Sequence, residues 1–316
     1  MSTAVLSSDA TNKTLPNNTS DLLSIVFSDA VDIFSLPDAA KASEAYQSAQ
    51  PYGHLVIDEF FQPSVLKQLQ AELVDKEVNF KKLFGDTLQT NKTISTGDDV
   101  PPLISLIAAK FASPEMLRYL ERLTGLKRLI PDPYYNTDYG YYHIVGSGGI
   151  LASHVDHSRH SSLQIPHVLN LVVYLSPDWE EKDGGSLYLY DSSGKTVEQR
   201  VSCVANRAVI FACTPTAFHG VEPVSKNSQR RRHSLYFAYY SVNSQVPSAV
   251  EAFPSAGSSS NMDSSTNYGT YFIVPFKDLF LPRNWGHLRT RLIYIMNLLL
   301  PPILVSAMRW FIRKLR

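Results

Sequence analysis

The stretch Gly149-Ile150-Leu151-Ala152-Ser153-His154-Val155-Asp156-His157-Ser158 decides how the chain is read. On an extended strand, side chains two residues apart project from one face, so His154 and Asp156 present an imidazole and a carboxylate side by side. Such a pair can supply two adjacent metal ligands, or it can be an ordinary polar exit from a strand. With 9 His and 29 acidic residues in the chain, a bare H-x-[DE] triplet is expected about once by chance. The surroundings must therefore decide.

Working outward, short apolar runs are punctuated by Gly, Asp, Ser and Asn: Tyr141 to Val145, Val168 to Leu175, Ser186 to Tyr190, Val197 to Val204, Ala208 to Cys213 and Ser234 to Ser241. With Asp183-Gly184-Gly185 as a turn between strands, this spacing predicts an antiparallel barrel or sandwich. The 17 Tyr and 15 Phe, with frequent Val and Ile, suit half-buried β surfaces. Fold class is thus all-β or α+β. Upstream, His54 to Phe61 reads as a strand, Pro63 opens a helix, and a second helical region runs from about Pro102 to Leu123, so residues 49–130 supply support to the barrel. Residues 1–48 read as a flexible arm with room for one helix, and 243–270 as a Ser-rich loop or linker. No internal repeat is visible.

A third ligand is offered by His219 in Ala217-Phe218-His219-Gly220-Val221, directly after an apolar strand. Two His and one carboxylate on one face of a metal form the facial triad of non-heme Fe(II) oxygenases, which leaves three positions open. His157, His160 and His167 crowd the same region, and spacing alone leaves a competing set open. His157 faces away from Asp156 on an extended strand and reads as a surface residue or a support behind the ligands. His143 is core or pocket lining, whereas His54, His233 and His287 read as structural. If the co-substrate is 2-oxoglutarate, its far carboxylate needs a cation, and Arg suits best because its planar fork pairs a carboxylate bidentately. Arg230-Arg231-Arg232 precedes a predicted strand; Arg232 is in phase with Ser234 and points inward, while Arg230 and Arg231 belong to a solvated turn.

Gly149-x-Leu151-x-x-His154-x-Asp156, Leu169 to Trp179, Asp183 to Tyr190, Asn206 to Phe211, Phe218 to Val221 and Arg232 to Leu235 together resemble the Fe(II)/2-oxoglutarate-dependent dioxygenases of the prolyl 4-hydroxylase-like group. The resemblance covers about residues 130–242, with 131–242 as the dioxygenase core, and extends weakly to Pro51. It implies a double-stranded β-helix, a jelly-roll or cupin-like barrel buttressed by helices. It further implies that His154, Asp156 and His219 bind Fe(II), that Arg232 binds the far carboxylate of 2-oxoglutarate and that Tyr174 is a second donor to it. The implied reaction consumes O2, with ascorbate in support, and hydroxylates a peptidyl proline or a small molecule, releasing succinate and CO2. Two departures are visible: three adjacent Arg stand where the family usually shows one, and Ile144 stands where a Tyr is usual upstream of the first His.

Charge is balanced at 29 basic and 29 acidic residues, which argues against a nucleic-acid partner. Cys203 and Cys213 are too few for a disulfide framework and read as free thiols in a reducing, cytoplasmic compartment. The N-terminus shows neither the apolar core of a secretory signal nor an Arg-rich transit pattern, so the sequons at Asn12, Asn17, Asn18 and Asn91 read as chance matches. At the other end, 271–316 reads as an amphipathic helical segment. Its apolar part from Leu292 is interrupted by Pro301-Pro302, which disfavours a spanning helix and leaves docking on the domain or peripheral contact with a membrane surface through 292–316. The rivals to an oxygenase are a non-catalytic cupin-like binding module, a zinc-dependent barrel enzyme and a membrane-surface protein.

Overall fold

Strand β5 (Tyr142–Val155) organises the sheet, because its 14 residues are long enough to serve both halves of a rolled structure. Residues Tyr142 to Val145 lie between β3 (Gln89–Ser95) and β11 (Arg232–Ser241), while its far end pairs with β10 (His219–Val221). Between these parts stands Gly146-Ser147-Gly148-Gly149, where Gly148 takes a φ of 68°, a value that glycine adopts without strain. The computed structural model describes residues 32–75, 81–84, 89–95, 100–132, 141–160, 163–243 and 271–272.

Along the sheet the order is β1 (His54–Ile57), β9 (Ala208–Ala212), β6 (His167–Tyr174), β11, β5, β10, β7 (Leu187–Tyr190) and β8 (Val197–Val201). β2 (Lys81–Phe84) pairs with β3, β4 (Leu129–Pro131) with β11, and β12 (Tyr271–Phe272) with the end of β5. Every pairing is antiparallel. The strands are central ones with apolar faces: β6 and β9 are buried along almost their whole length, as expected where one face meets the barrel interior and the other is covered by helices. This is a double-stranded β-helix, the jelly-roll barrel, mainly β with few helices.

Helices α1 (Ala39–Ser48), α2 (Pro63–Asp75), α3 (Pro102–Phe111) and α4 (Pro114–Thr124) supply the cover. The expected single helical region from Pro102 to Leu123 is two helices. Ser113 accepts the Met116 N–H at 3.2 Å as an N-cap, and Pro114 lacks the N–H needed to continue the preceding helix. Gly125 ends α4 in the left-handed region at φ 77°. Helix and sheet meet in an aromatic cluster in which the Phe111 ring lies tilted against Phe237, centroids 4.2 Å apart, and also packs on Phe34, Phe60 and Phe61. Asn206 fastens this cluster: its amide accepts from Phe61 N–H at 2.8 Å and donates to Phe61 C=O at 2.9 Å.

The reading of 1–48 as a flexible arm needs correction at its end. Residues 39–48 form α1, N-capped by Asp38 on Lys41 N–H at 2.9 Å, and bury Ala39, Ala42 and Tyr46. Tyr271–Phe272 form a short strand, not helix. The rest of the C-terminal segment and the sequons at Asn12, Asn17 and Asn18 lie outside the described residues, as does His287. Among the described residues no helix is long and apolar enough to cross a membrane.

Candidate functional site

His219 on β10 pairs directly with His154 on β5, and this register is what brings two segments 65 positions apart in the chain (219 minus 154) to one point. The imidazole centroids are 4.3 Å apart. Asp156, just past the end of β5, closes the group: its Oδ1 lies 3.4 Å from His154 Nε2 and its Oδ2 lies 3.5 Å from His219 Nε2. The donor atoms of all three lie within 4.8 Å of one another. They converge from an interior wall, with both His buried and Asp156 slightly open.

The tautomers of the two His follow from their backbones. His154 Nδ1 donates to Ala152 C=O at 2.8 Å and His219 Nδ1 donates to Ala217 C=O at 3.1 Å. Each ring therefore carries its proton on the outer nitrogen and aims an Nε2 lone pair at the shared centre. Burial and the neighbouring His154 push the His219 imidazole down to about 4, so it is neutral at physiological pH. Burial raises the Asp156 carboxyl, but the imidazoles of His219 and His154 outweigh burial and hold it well below the usual carboxylate range. A neutral His219 imidazole beside an ionised Asp156 carboxylate is the pair of protonation states that metal binding requires.

Asn170 on β6 is fully buried, and its amide donates to Asp156 Oδ2 at 2.6 Å. The amide oxygen faces His167 Nε2 at 2.9 Å, and His167 Nδ1 faces the His157 carbonyl at 3.0 Å. His157 stacks on His167 at 4.5 Å and bonds Tyr240 Oη at 3.1 Å. The surface reading of His157 is thus overturned, since it is 2% exposed and stands behind the site. His160 is likewise buried, 3.7 Å from Asp132 Oδ1. A second set of donor atoms, Asp156, His167 and Cys213, also clusters. There the His167 nitrogens already face oxygens, and burial raises the Cys213 thiol, which opposes the thiolate a metal needs. His143 is half-buried and stacks on Tyr236 at 5.2 Å. His233 bonds Tyr142 at 2.5 Å in a structural role, and His54 Nδ1 bonds the Tyr52 carbonyl at 2.9 Å.

Of the three adjacent Arg, only Arg232 turns inward, at 4% exposed. Arg230 sits at the turn with Glu180 and Asp183 at 3.2 and 3.1 Å, and Arg231 is exposed. Arg232 donates Nε–H to Gly185 C=O at 2.7 Å and Nη1–H to Ser234 Oγ at 3.1 Å, yet it has no ion pair with a protein carboxylate among the described residues. Its guanidinium carbon lies 4.8 Å from the centroid of the Tyr174 ring. Tyr174 is 0% exposed, and its hydroxyl has no hydrogen-bond partner of good geometry among the described residues. A buried guanidinium without a counterion beside an orphaned hydroxyl is costly as pure structure and suits an incoming carboxylate. Sequence reading missed Asn170, although a single Asn inside the apolar run Leu169 to Tyr174 was a usable signal.

Residues 139–240 match the family model described as the 2OG-Fe(II) oxygenase superfamily. No curated protein matches the chain. Among solved structures, the chain is similar to a Pseudomonas putida prolyl-4-hydroxylase at 20% identity and a TM-score of 0.48, covering 65% of this chain and 99% of that one. It is also similar to a prolyl hydroxylase of Trichoplax adhaerens, solved with a hypoxia inducible factor peptide fragment, at 17% identity and a TM-score of 0.46, covering 71% and 94%. A third is HygX of Streptomyces hygroscopicus, solved with nickel, 2-oxoglutarate and hygromycin B, at 14% identity and a TM-score of 0.42, covering 60% and 84%. The matched segment runs from just before β5 to near the end of β11 and contains every residue of the group above, so this segment is similar to the 2OG-Fe(II) oxygenase superfamily, a likeness that supports Fe(II) and 2-oxoglutarate as cofactors.

Proposed function

We propose that the chain hydroxylates an unactivated C–H bond of a peptidyl proline or a small molecule, with His154, Asp156 and His219 as iron ligands and Arg232 with Tyr174 as the seat of the distal carboxylate of 2-oxoglutarate. The observation that carries this reading is the convergence of two Nε2 lone pairs and one carboxylate within 4.8 Å, with a counterion-free guanidinium in the same barrel. Such a donor set fits ferrous iron, since it supplies three ligands and leaves other positions to small molecules. The orphaned Tyr174 hydroxyl and the Arg232 guanidinium fit the co-substrate in the same way.

When bound, Fe(II) supplies the activation of O2 coupled to decarboxylation of 2-oxoglutarate to succinate and CO2. The remaining work belongs to the chain. The Ala152 and Ala217 carbonyls hold the two imidazoles in their ligating tautomer. Asn170 fixes the carboxylate rotamer of Asp156. Gly185 and Ser234 hold the Arg232 fork in place, so that the co-substrate is oriented rather than merely attracted. An intact Asp156 keeps the third ligand a protein carboxylate, which favours hydroxylation over halogenation.

The test is succinate release with Fe(II), ascorbate and 2-oxoglutarate across a panel of prolyl peptides, free amino acids and cell-extract fractions. The reading expects slow uncoupled turnover without substrate and stimulation by one class in the panel. Normal turnover in His154→Ala would refute the site.

A further inference from the structure

The Lys92 ammonium on β3 has no hydrogen bond or ion pair among the described residues, although the residue is partly buried. Its position is fixed by two registers. Val145 on β5 pairs with Arg232 on one side and with Lys92 on the other. Directly opposite residues in a sheet project from the same face, so Lys92 and Arg232 flank Val145 on one surface, two strand spacings or roughly 10 Å apart at the backbone. That surface is the barrel interior, because Arg232 lies there against Tyr174.

The ladder between β3 and β5 is interrupted just before Lys92. Thr90 pairs with Ile150 and Lys92 with Val145, so the four residues Gly146 to Gly149 of β5 stand opposite Asn91, which takes a φ of 47°. Asn91 is held by its amide, which donates to Ser147 C=O at 2.7 Å. The ammonium comes to rest in the fields of both ends of the site: burial pushes Lys92 down to about 8, the Asp156 carboxylate opposes that, and the Arg232 guanidinium adds to it.

An ammonium drawn out of water with no partner lowers stability, and placing it near a second unpaired cation lowers it further. A ligand anion relieves both. Two counterion-free cations on one interior face match a dicarboxylate. We propose that Lys92 is a second anchoring cation for the co-substrate, binding the carboxylate at the keto end of 2-oxoglutarate while Arg232 holds the distal one. This rests on the proposed triad and on Arg232 as the distal seat.

The test uses the full chain, anaerobic and loaded with Mn(II), titrated calorimetrically with 2-oxoglutarate and separately with oxalate, which offers the chelating end alone. Lys92→Met and Lys92→Gln should weaken both ligands roughly tenfold to a hundredfold, the scale of one lost charged hydrogen bond, with Mn(II) affinity unchanged and the ligand-free melting temperature no lower than that of the wild type. Lys92→Arg should recover most of the loss, and Arg232→Met should weaken 2-oxoglutarate while sparing oxalate. Wild-type affinity for both ligands in Lys92→Met and Lys92→Gln overturns the proposal, as does a defect confined to the KM of the oxidised substrate. If the wild-type chain binds Mn(II) but neither ligand, the parent reading of the pocket has failed and this one falls with it.

Discussion

The side-chain amide of Asn170 reaches from β6 to Asp156 Oδ2 across 2.6 Å. A carboxylate with free rotation would lose entropy on joining two imidazoles at one ion, and Asn170 removes that freedom beforehand. Supports of this type are worth about 10- to 100-fold in metal affinity. Asn170→Ala should therefore weaken Co(II) or Mn(II) binding by roughly that factor, measured by calorimetry, while the chain remains folded by circular dichroism. Unchanged affinity would show that Asp156 needs no such support.

Gly185 touches the Arg232 side chain as well as bonding it. A Cβ at Gly185 would lie 3.0 Å from Arg232 Cδ and 3.2 Å from Trp179 Cζ2, on a backbone with φ 72°. Gly185→Ala is expected to displace the guanidinium and raise the KM for 2-oxoglutarate about tenfold or more, the scale of one misplaced charged hydrogen bond, with a smaller change in kcat. Steady-state succinate release at varied 2-oxoglutarate decides this.

Gly220 sits beside His219 where β10 meets β5. A Cβ there would stand 2.7 Å from the Leu151 carbonyl oxygen, too close for the ladder to remain as it is. Gly220→Ala should lower stability by about 1–3 kcal/mol and separate His219 from His154, abolishing tight metal binding. Thermal melts with and without Mn(II) would show the loss of both the apo stability and the metal-induced increment.

Acid should destabilise the metal-free chain through His233 as one contributor. Burial, with Arg231 adding, pushes its imidazole down to about 4, and its neutral Nδ1 accepts from the Tyr142 hydroxyl. Because the folded value lies below the unfolded value of about 6.5, the unfolded chain takes up the proton first. The stabilisation is present above about pH 6.5 and is lost as pH falls toward about 4. His233→Gln keeps an acceptor without the titration, so the drop in melting temperature between pH 7 and pH 5 should shrink. An equal drop in both proteins would assign the acid sensitivity elsewhere, His219 included.

How much of this was legible in the sequence follows from which contacts are local. His154 and Asp156 share a site through the two-residue period of a strand, a purely local rule, and the inward turn of Arg232 follows from its phase with Ser234. The pairing of His219 with His154 depends on closure of the barrel, because β10 has three residues and no periodicity of its own. The hairpin of β2 and β3 went unread since Gln89-Thr90-Asn91-Lys92-Thr93 is polar and weak in strand propensity, and its structure comes from pairing with β5. Helix α1 was masked by the Ser-rich composition around it, although Asp38 and the Ala-rich run that follows are a cap and a helix former.

The central claim is that residues 154, 156 and 219 hold one ferrous ion that a 2-oxo acid can chelate. It is tested most directly by the visible charge-transfer absorption that a 2-oxo acid produces on chelating Fe(II), recorded anaerobically. The account predicts the band in the wild-type chain when both Fe(II) and 2-oxoglutarate are added, and its loss in His154→Ala, Asp156→Ala and His219→Ala. A band of undiminished intensity in folded His219→Ala would contradict it.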